Sequence, residues 1–221
     1  MAILKDGYEL IEHFLTEDQL SSINEDLQSI VFSSKLGGIR NVEKKFSSIG
    51  ELAASPYILN AARDYLAGNP SLVRAILFDK TPENNWLVTW HQDKTVAVSS
   101  VFEHPDWGPW SLKDEVHHVQ APLSVLNQML TFRIHLDDTN KENGCLKLIP
   151  GSHTSGILGQ AEIQQYVTTH SSIFCEAKSG SALVMRPHIL HASSKAIQPS
   201  QRRVLHLEYS SYELPPGVLW A

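Results

Sequence analysis

The residues of this chain best placed to do chemistry lie in the run NWLVTWHQD, where His91 and Asp93 stand two apart. Side chains on a strand alternate with a period of two, so an imidazole and a carboxylate at this spacing share one face. Asn85, Leu87 and Thr89 are expected on that face, with Trp86, Val88 and Trp90 on the other. Add a second histidine from elsewhere, and two nitrogens and one carboxylate leave three positions of a metal open. That donor set is the one expected for non-haem Fe(II).

The tripeptide occurs twice more. His104-Pro-Asp106 sits in FEHPDWGPW, whose proline and glycine argue against a strand interior. His135-x-Asp137 closes a convincing strand, MLTFRIHL. Strand counting separates it from His91/Asp93: a third ligand in SGSALVMRPHILHASS lies too few strands after His135, but enough after His91. In that segment His191, followed by small residues, is the candidate, and His188 competes with it. Eleven residues after His191 comes Arg202, at the head of the strand RRVLHLEY. A strand antiparallel to the one carrying His191 brings this guanidinium beside the metal. There it can clamp the distal carboxylate of a co-substrate such as 2-oxoglutarate in a bidentate, charge-assisted pair. Ser193, two residues past His191, is placed to donate a hydroxyl to the same carboxylate, while Arg203 should face away.

Alternation in MLTFRIHL puts Thr131, Arg133 and His135 on one face and Leu130, Phe132, Ile134 and Leu136 on the other. An arginine and a histidine turned into a barrel are costly without a partner, so Arg133 and His135 are candidates for substrate contact. The stretch EHPDWGPWSLKDEVHHVQAP, long and rich in aromatics and histidines, fits an active-site lid.

The elements that must carry these residues fall into two textures. The first third reads as helical. Thr16 and Gln19 form a capping-box pattern, and Phe14, Leu15, Leu20, Ile23, Leu27 and Ile30 recur at helical spacing. A second helical stretch covers roughly 47–67, with Pro56 as a first-turn residue and Gly68 as its stop. The sequence before it, KLGGIRNVEKK, reads as loop. From about Val73 onward the chain becomes a series of short β-rich runs bounded by turn residues, with one further helix near 161–168. Such a pattern predicts an antiparallel sandwich or barrel. The expectation is a single domain over 1–221, with a helical N-terminal layer (1–72) supporting a jelly-roll (73–221).

Composition sets the remaining bounds. With 221 residues, 42% of them hydrophobic, the chain is long enough for one substantial core. A net charge of −6 with no basic block argues against a nucleic-acid partner. No apolar run is long enough for a membrane span, and MAILKDGYEL does not read as a signal peptide. Two cysteines, Cys145 and Cys175, with no Cys-x-x-Cys pair, fit a reduced cytoplasmic protein.

Taken together, WHQD, LDDTNKENGCLKLIPGSH, HASS and the Arg202 strand resemble the phytanoyl-CoA dioxygenase family. This is a branch of the Fe(II)/2-oxoglutarate oxygenases that also includes ectoine hydroxylases. The resemblance runs from about Leu77 to Tyr209 and is slight in the helical N-terminus. It implies a double-stranded β-helix (cupin-like jelly-roll) and an iron triad of His91, Asp93 and His191. It also implies a 2-oxoglutarate salt bridge at Arg202, assisted by Ser193, with Trp110 or Trp107 lining the co-substrate pocket. The implied reaction is hydroxylation of a small-molecule substrate with O2, releasing succinate and CO2. Asp93 stands where halogenases of this class lack a carboxylate, which favours hydroxylation. The alternative is a cupin-like metal-binding protein without oxygenase activity, which has no need of Arg202.

Overall fold

The computed structural model describes residues 2–28 and 38–221. The chain opens with α1 (Ala2–Lys5) and β1 (Tyr8–Ile11), followed by α2 (Glu17–Leu27). The capping box read from the sequence is formed. The Gln19 N–H donates to the Thr16 hydroxyl at 3.2 Å, and the Thr16 N–H donates to Gln19 Oε1 at 3.0 Å. Ile23 and Leu27 are buried by this helix, whereas Ile30 and part of the expected loop lie outside the described residues. After β2 (Ile39–Arg40), the second helical stretch divides into α3 (Ser47–Ala54) and α4 (Pro56–Arg63). Ser55 makes the break, accepting from the Ile58 N–H at 3.3 Å with Pro56 in the first turn.

The β-rich part begins with β3 (Ser71–Lys80), β4 (Val88–His91) and β5 (Thr95–Val98). Next come β6 (Trp110–Lys113), β7 (Val116–Gln120), α5 (Leu123–Leu126), β8 (Met129–His135) and β9 (Leu146–Leu148). The series ends with α6 (Gln160–Thr169), β10 (Ile173–Cys175), β11 (Ala182–Met185), β12 (His191–Ser193) and β13 (Arg202–Ser210). A large sheet in the order β1-β11-β8-β13-β3-β2 faces a smaller one, β10-β9-β12-β4, and a third sheet has the order β5-β7-β6. The ladders are antiparallel, and the architecture is the jelly-roll that the strand pattern predicts.

Period-two alternation gives the large sheet two different faces. Leu77, Leu130, Phe132, Ile134, Val184, Leu205, Leu207 and Tyr209 point outward. They pack against Ile23, Ile49, Leu52 and Ile58 of the N-terminal helices, forming the main core. Tyr209 also donates its phenol to the Ala53 carbonyl at 2.8 Å, tying α3 to the sheet. The inward face carries Arg74, Lys80, Arg133, Arg202 and His206. The helical layer thus buries the apolar side of a sheet whose other side is polar.

Two expectations need correction. The N-terminal third is not purely helical, because β1 forms an edge of the large sheet against β11. The stretch expected to be a lid contains the hairpin β6–β7, which pairs with β5. Its two-residue turn has Asp114 and Glu115 at φ 49° and 63°, the backbone of a tight hairpin turn usually marked by Asn-Gly or Asp-Gly. Asp-Glu carries no such mark. Among the described residues, no helix is long and apolar enough to cross a membrane.

Phe132 is fully buried, stacked on Phe14 with ring centroids 5.4 Å apart and edge-on to Tyr209 at 5.9 Å. Phe132→Ala should therefore destabilise the protein by about 3–5 kcal/mol in urea denaturation. Leu112→Ala, at a side chain 62% exposed, should change stability by no more than about 0.5 kcal/mol.

Candidate metal centre

His91 and His191 are brought together by one ladder. β12 pairs with β4 so that His191 lies opposite His91, but two residues further on Ser193 lies opposite Val88. Three residues of β4 therefore face two of β12, which is a β-bulge, a device common beside functional sites. The bulge breaks strict alternation. Trp86 and Val88, expected on the opposite face, line the same cavity as His91. Asp93 lies just past the end of β4, and the intervening Gln92 holds it in place. The Gln92 amide donates to the carbonyls of His188 (2.8 Å) and Gly156 (2.7 Å) and accepts from the Leu158 N–H (2.8 Å). The Asp93 N–H itself donates to the Pro187 carbonyl at 2.9 Å.

The donor atoms suit a metal. His91 Nδ1 lies 2.8 Å from the Thr89 carbonyl and His191 Nδ1 lies 2.9 Å from the Ile189 carbonyl. Each Nδ1 must then carry the proton, which leaves each Nε2 with a free lone pair. The two Nε2 atoms stand 3.6 and 3.5 Å from the oxygens of Asp93. That is long for hydrogen bonds and short enough for one ion with bonds of about 2.0–2.2 Å to bridge. Burial acts to raise the Asp93 pKa, but attraction to His191 and His91 when these carry a proton outweighs it and holds the carboxyl well below its usual range. Burial pushes His191 down to about 4, keeping it neutral.

The competing histidines are elsewhere. His188 is buried beside His153, with ring centroids 6.0 Å apart, and does not line the cavity. His135 is also buried away from the cavity wall, near the Thr139 hydroxyl at 3.3 Å, so the structure does not support its expected substrate contact. Its former partner Asp137 accepts two hydrogen bonds from the Arg203 guanidinium, at 2.9 and 2.7 Å. His104 and Asp106 are exposed.

The triad opens into a cavity of about 500 Å³ between the two main sheets. Arg202 forms part of the opposite wall, 3% exposed, with its Nε lacking a partner among the described residues. It reaches the cavity by a different route from the one expected. β13 does not pair with β12 but belongs to the large sheet, so Arg202 faces the triad across the barrel. Ser193 also lines the cavity, yet its hydroxyl donates to the Gly144 carbonyl at 3.0 Å and accepts from Lys80 Nζ at 2.7 Å. Its one proton is thus committed to the Asn143-Gly144 turn. That turn needs glycine: φ is +74°, and a Cβ would lie 2.7 Å from the Ser194 carbonyl.

Lys80 is the residue that the sequence reading passed over. Fully buried at the end of β3, it sits over the Trp86 ring and donates to Ser193 and to the Ser194 carbonyl at 2.8 Å. Burial, reinforced by Arg202 and Arg133, lowers its pKa to about 7. Alternation along VRAILFDK puts Lys80 on the same face as Arg74, Ile76 and Phe78, a signal present in the sequence. Trp110 and Trp107 are not in the cavity. Both pack against Phe102, in a separate core under the third sheet, and Trp86 is the tryptophan of the cavity wall.

A family model described as phytanoyl-CoA dioxygenase matches residues 3–204, so the match includes the N-terminal helices as well as the β-rich part. The chain is 25% identical over 199 residues to a probable alpha-ketoglutarate-dependent hypophosphite dioxygenase of Stutzerimonas stutzeri. That alignment covers 80% of this chain and 58% of the relative's length. AviO1 from Streptomyces viridochromogenes Tue57 has a similar structure, with a TM-score of 0.71 at 20% identity, covering 97% of this chain and 94% of that one. HygX from Streptomyces hygroscopicus, solved with nickel and 2-oxoglutarate bound, matches with a TM-score of 0.66 at 15% identity over 94% and 83% of the two chains.

Co(II) titration of the metal-free protein, followed by visible absorption, should reveal one tight site. His191→Ala and Asp93→Ala should abolish it, whereas His188→Ala should leave it intact; the reverse pattern for the two histidines would reassign the third ligand.

Proposed function

This chain belongs to the phytanoyl-CoA dioxygenase family, and from that premise we propose that it is an Fe(II)- and 2-oxoglutarate-dependent dioxygenase that hydroxylates a small-molecule substrate. One observation carries the reading. A face of two histidines and one carboxylate shares a single cavity with a buried guanidinium whose Nε has no partner among the described residues. A cupin-like metal holder has use for the first feature and none for the second. Leaving a buried arginine nitrogen unpaired is costly, and the distal carboxylate of 2-oxoglutarate satisfies it.

When bound, iron and 2-oxoglutarate supply the oxidising chemistry with O2, the co-substrate leaving as succinate and CO2. The contribution of the chain is placement. His91, Asp93 and His191 would hold the metal at the wall of the cavity. Arg202 takes the distal carboxylate from the opposite wall, which fixes the length of the co-substrate that fits between them. Lys80 supplies the second cationic donor, oriented by Ser193 and by the Ser194 carbonyl. Trp86, Phe78, Ile76 and Leu146 give the cavity apolar walls that limit its water.

Anaerobic addition of 2-oxoglutarate to the Fe(II)-loaded protein should produce a visible charge-transfer band. The band should be lost in His191→Ala and need on the order of tenfold to a hundredfold more 2-oxoglutarate in Arg202→Ala. Asp93→Ala should make no succinate coupled to substrate. Bound iron without a band in the unmodified protein would favour the metal holder.

The lowered pKa of Lys80 yields a second expectation. A carboxylate arriving beside an amine that titrates at about 7 raises its pKa, so binding takes up a proton at pH 8 but not at pH 6. Affinity for 2-oxoglutarate should therefore be level below pH 7 and decline above it. Calorimetry at pH 8 in buffers of different ionisation enthalpy should detect the uptake, and Lys80→Met should abolish it. Equal uptake in the variant would remove Lys80 from the co-substrate site.

A further inference from the structure

We infer that the substrate carries an anionic group and that Arg133 is the residue that recognises it. This inference rests on the oxygenase reading above and names the class of molecule that the rest of the cavity receives.

Arg133 projects from the inward face of β8 and is 7% exposed. Its NH1 donates to His206 Nδ1 at 3.0 Å. A guanidinium can only donate, so His206 Nδ1 is the acceptor and the ring proton sits on Nε2. That Nε2–H donates to Glu208 Oε1 at 2.8 Å, and the same oxygen accepts from Arg74 NH2 at 2.6 Å. The chain of bonds has a consequence for charge. Glu208 lies in direct contact with Arg74 and neutralises it, whereas Arg133 meets only a neutral imidazole. Phe78 lies under the Arg133 guanidinium, 5.6 Å from its carbon to the ring centroid, and contributes no charge. Arg133 Nε has no partner among the described residues.

The remaining charges in the cavity do not serve Arg133 either. Asp93 belongs to the metal. Iron, Asp93, Arg202 and a doubly charged 2-oxoglutarate together sum to zero. Arg133 is left over, along with whatever charge Lys80 carries. At the mouth, Arg40 and Lys113 add cationic groups, and among the described residues only Arg40 has a carboxylate partner, Asp114 at 2.9 Å. A buried, unneutralised guanidinium is expensive unless a ligand completes it. Held by His206 and backed by Phe78, Arg133 keeps its Nε edge available for a carboxylate, phosphate or similar oxyanion. His206 and Glu208 act as positioning residues: they fix the guanidinium without cancelling it.

The test uses anaerobic protein loaded with Fe(II) and saturated with 2-oxoglutarate, whose charge-transfer band reports co-substrate occupancy independently. Matched pairs of probes are titrated calorimetrically, hexanoate against hexanamide and phenyl phosphate against phenol. The unmodified protein should bind at least one anion about tenfold or more tightly than its neutral counterpart. The preference should vanish in Arg133→Gln and return in part in Arg133→Lys, with the band unchanged in both. No preference in the unmodified protein overturns the inference, whether or not either variant folds. So does a preference that survives in Arg133→Gln. Loss of the band in Arg133→Gln would also overturn it, by assigning Arg133 to the co-substrate. Absence of the band in the unmodified protein would instead refute the oxygenase reading, and the same probe pairs on metal-free protein would still decide whether Arg133 binds anions.

Discussion

The antiparallel contact between β4 and β12 is the constraint on which the site depends. It sets His91 opposite His191, two residues a hundred positions apart in the chain. Neither strand exceeds four residues, so the register needs external support. Gln92 supplies part of it by bonding to the segment that leads into β12. Ser152 supplies another part, donating to the Ile149 carbonyl at 2.7 Å and accepting from the Leu190 N–H at 2.8 Å. The Pro-Gly-Ser-His sequence thus has a mechanical meaning: a fully buried serine pins the residue before His191. A slip of β12 by one residue would turn the His191 imidazole to the other face, away from His91 and Asp93.

The opposite wall faces a different physical problem, that of keeping cations inside a protein. Arg74, Arg133, Arg202 and Lys80 project from one face of the large sheet, where burial disfavours each charge and their mutual repulsion adds to the cost. Stability comes from the other face of the same strands, where Leu130, Phe132, Leu205, Leu207 and Tyr209 pack under the helices. β3, β8 and β13 therefore serve both purposes, with alternate residues assigned to core and cavity. The N-terminal helices matter to function by this route, although none of their described residues lines the cavity.

Local patterns were legible in the sequence where local chemistry sets the structure. The Thr16 capping box, the Pro56 helix start and the split faces of β8 all follow from residue spacing, and so does the separation of His91/Asp93 from the copies at His104 and His135. Features decided by tertiary pairing were not. The bulge in β4 has no glycine to announce it, and it moves Trp86 and Val88 onto the cavity side. The β6–β7 turn is built from Asp114 and Glu115, so it reads as part of a loop. Arg202 lines the cavity from the large sheet rather than from a strand beside β12, because spacing along the chain does not say which neighbour a strand pairs with. Ser193 lines the cavity, but the Gly144 carbonyl, brought close only by the fold, claims its proton.

Buried polar atoms that lack partners cost a fold stability. Well over nine in ten buried polar groups in folded proteins are hydrogen-bonded, so the exceptions carry information. Among the described residues such exceptions occur at several places, Asn24, Ser48, Trp107 and His188 included, and five of them, Arg74 Nε, Arg133 Nε, Arg202 Nε, Glu208 Oε2 and Thr131 Oγ1, lie on β3, β8 and β13 on the side facing away from the helices. The unpaired guanidinium nitrogens of Arg74, Arg133 and Arg202 share one wall of one cavity, where a bound anion would satisfy them. Donors predominate over acceptors there, and three of them belong to guanidinium groups. The same wall that makes the empty protein less stable is therefore the part of it most specific for negative charge.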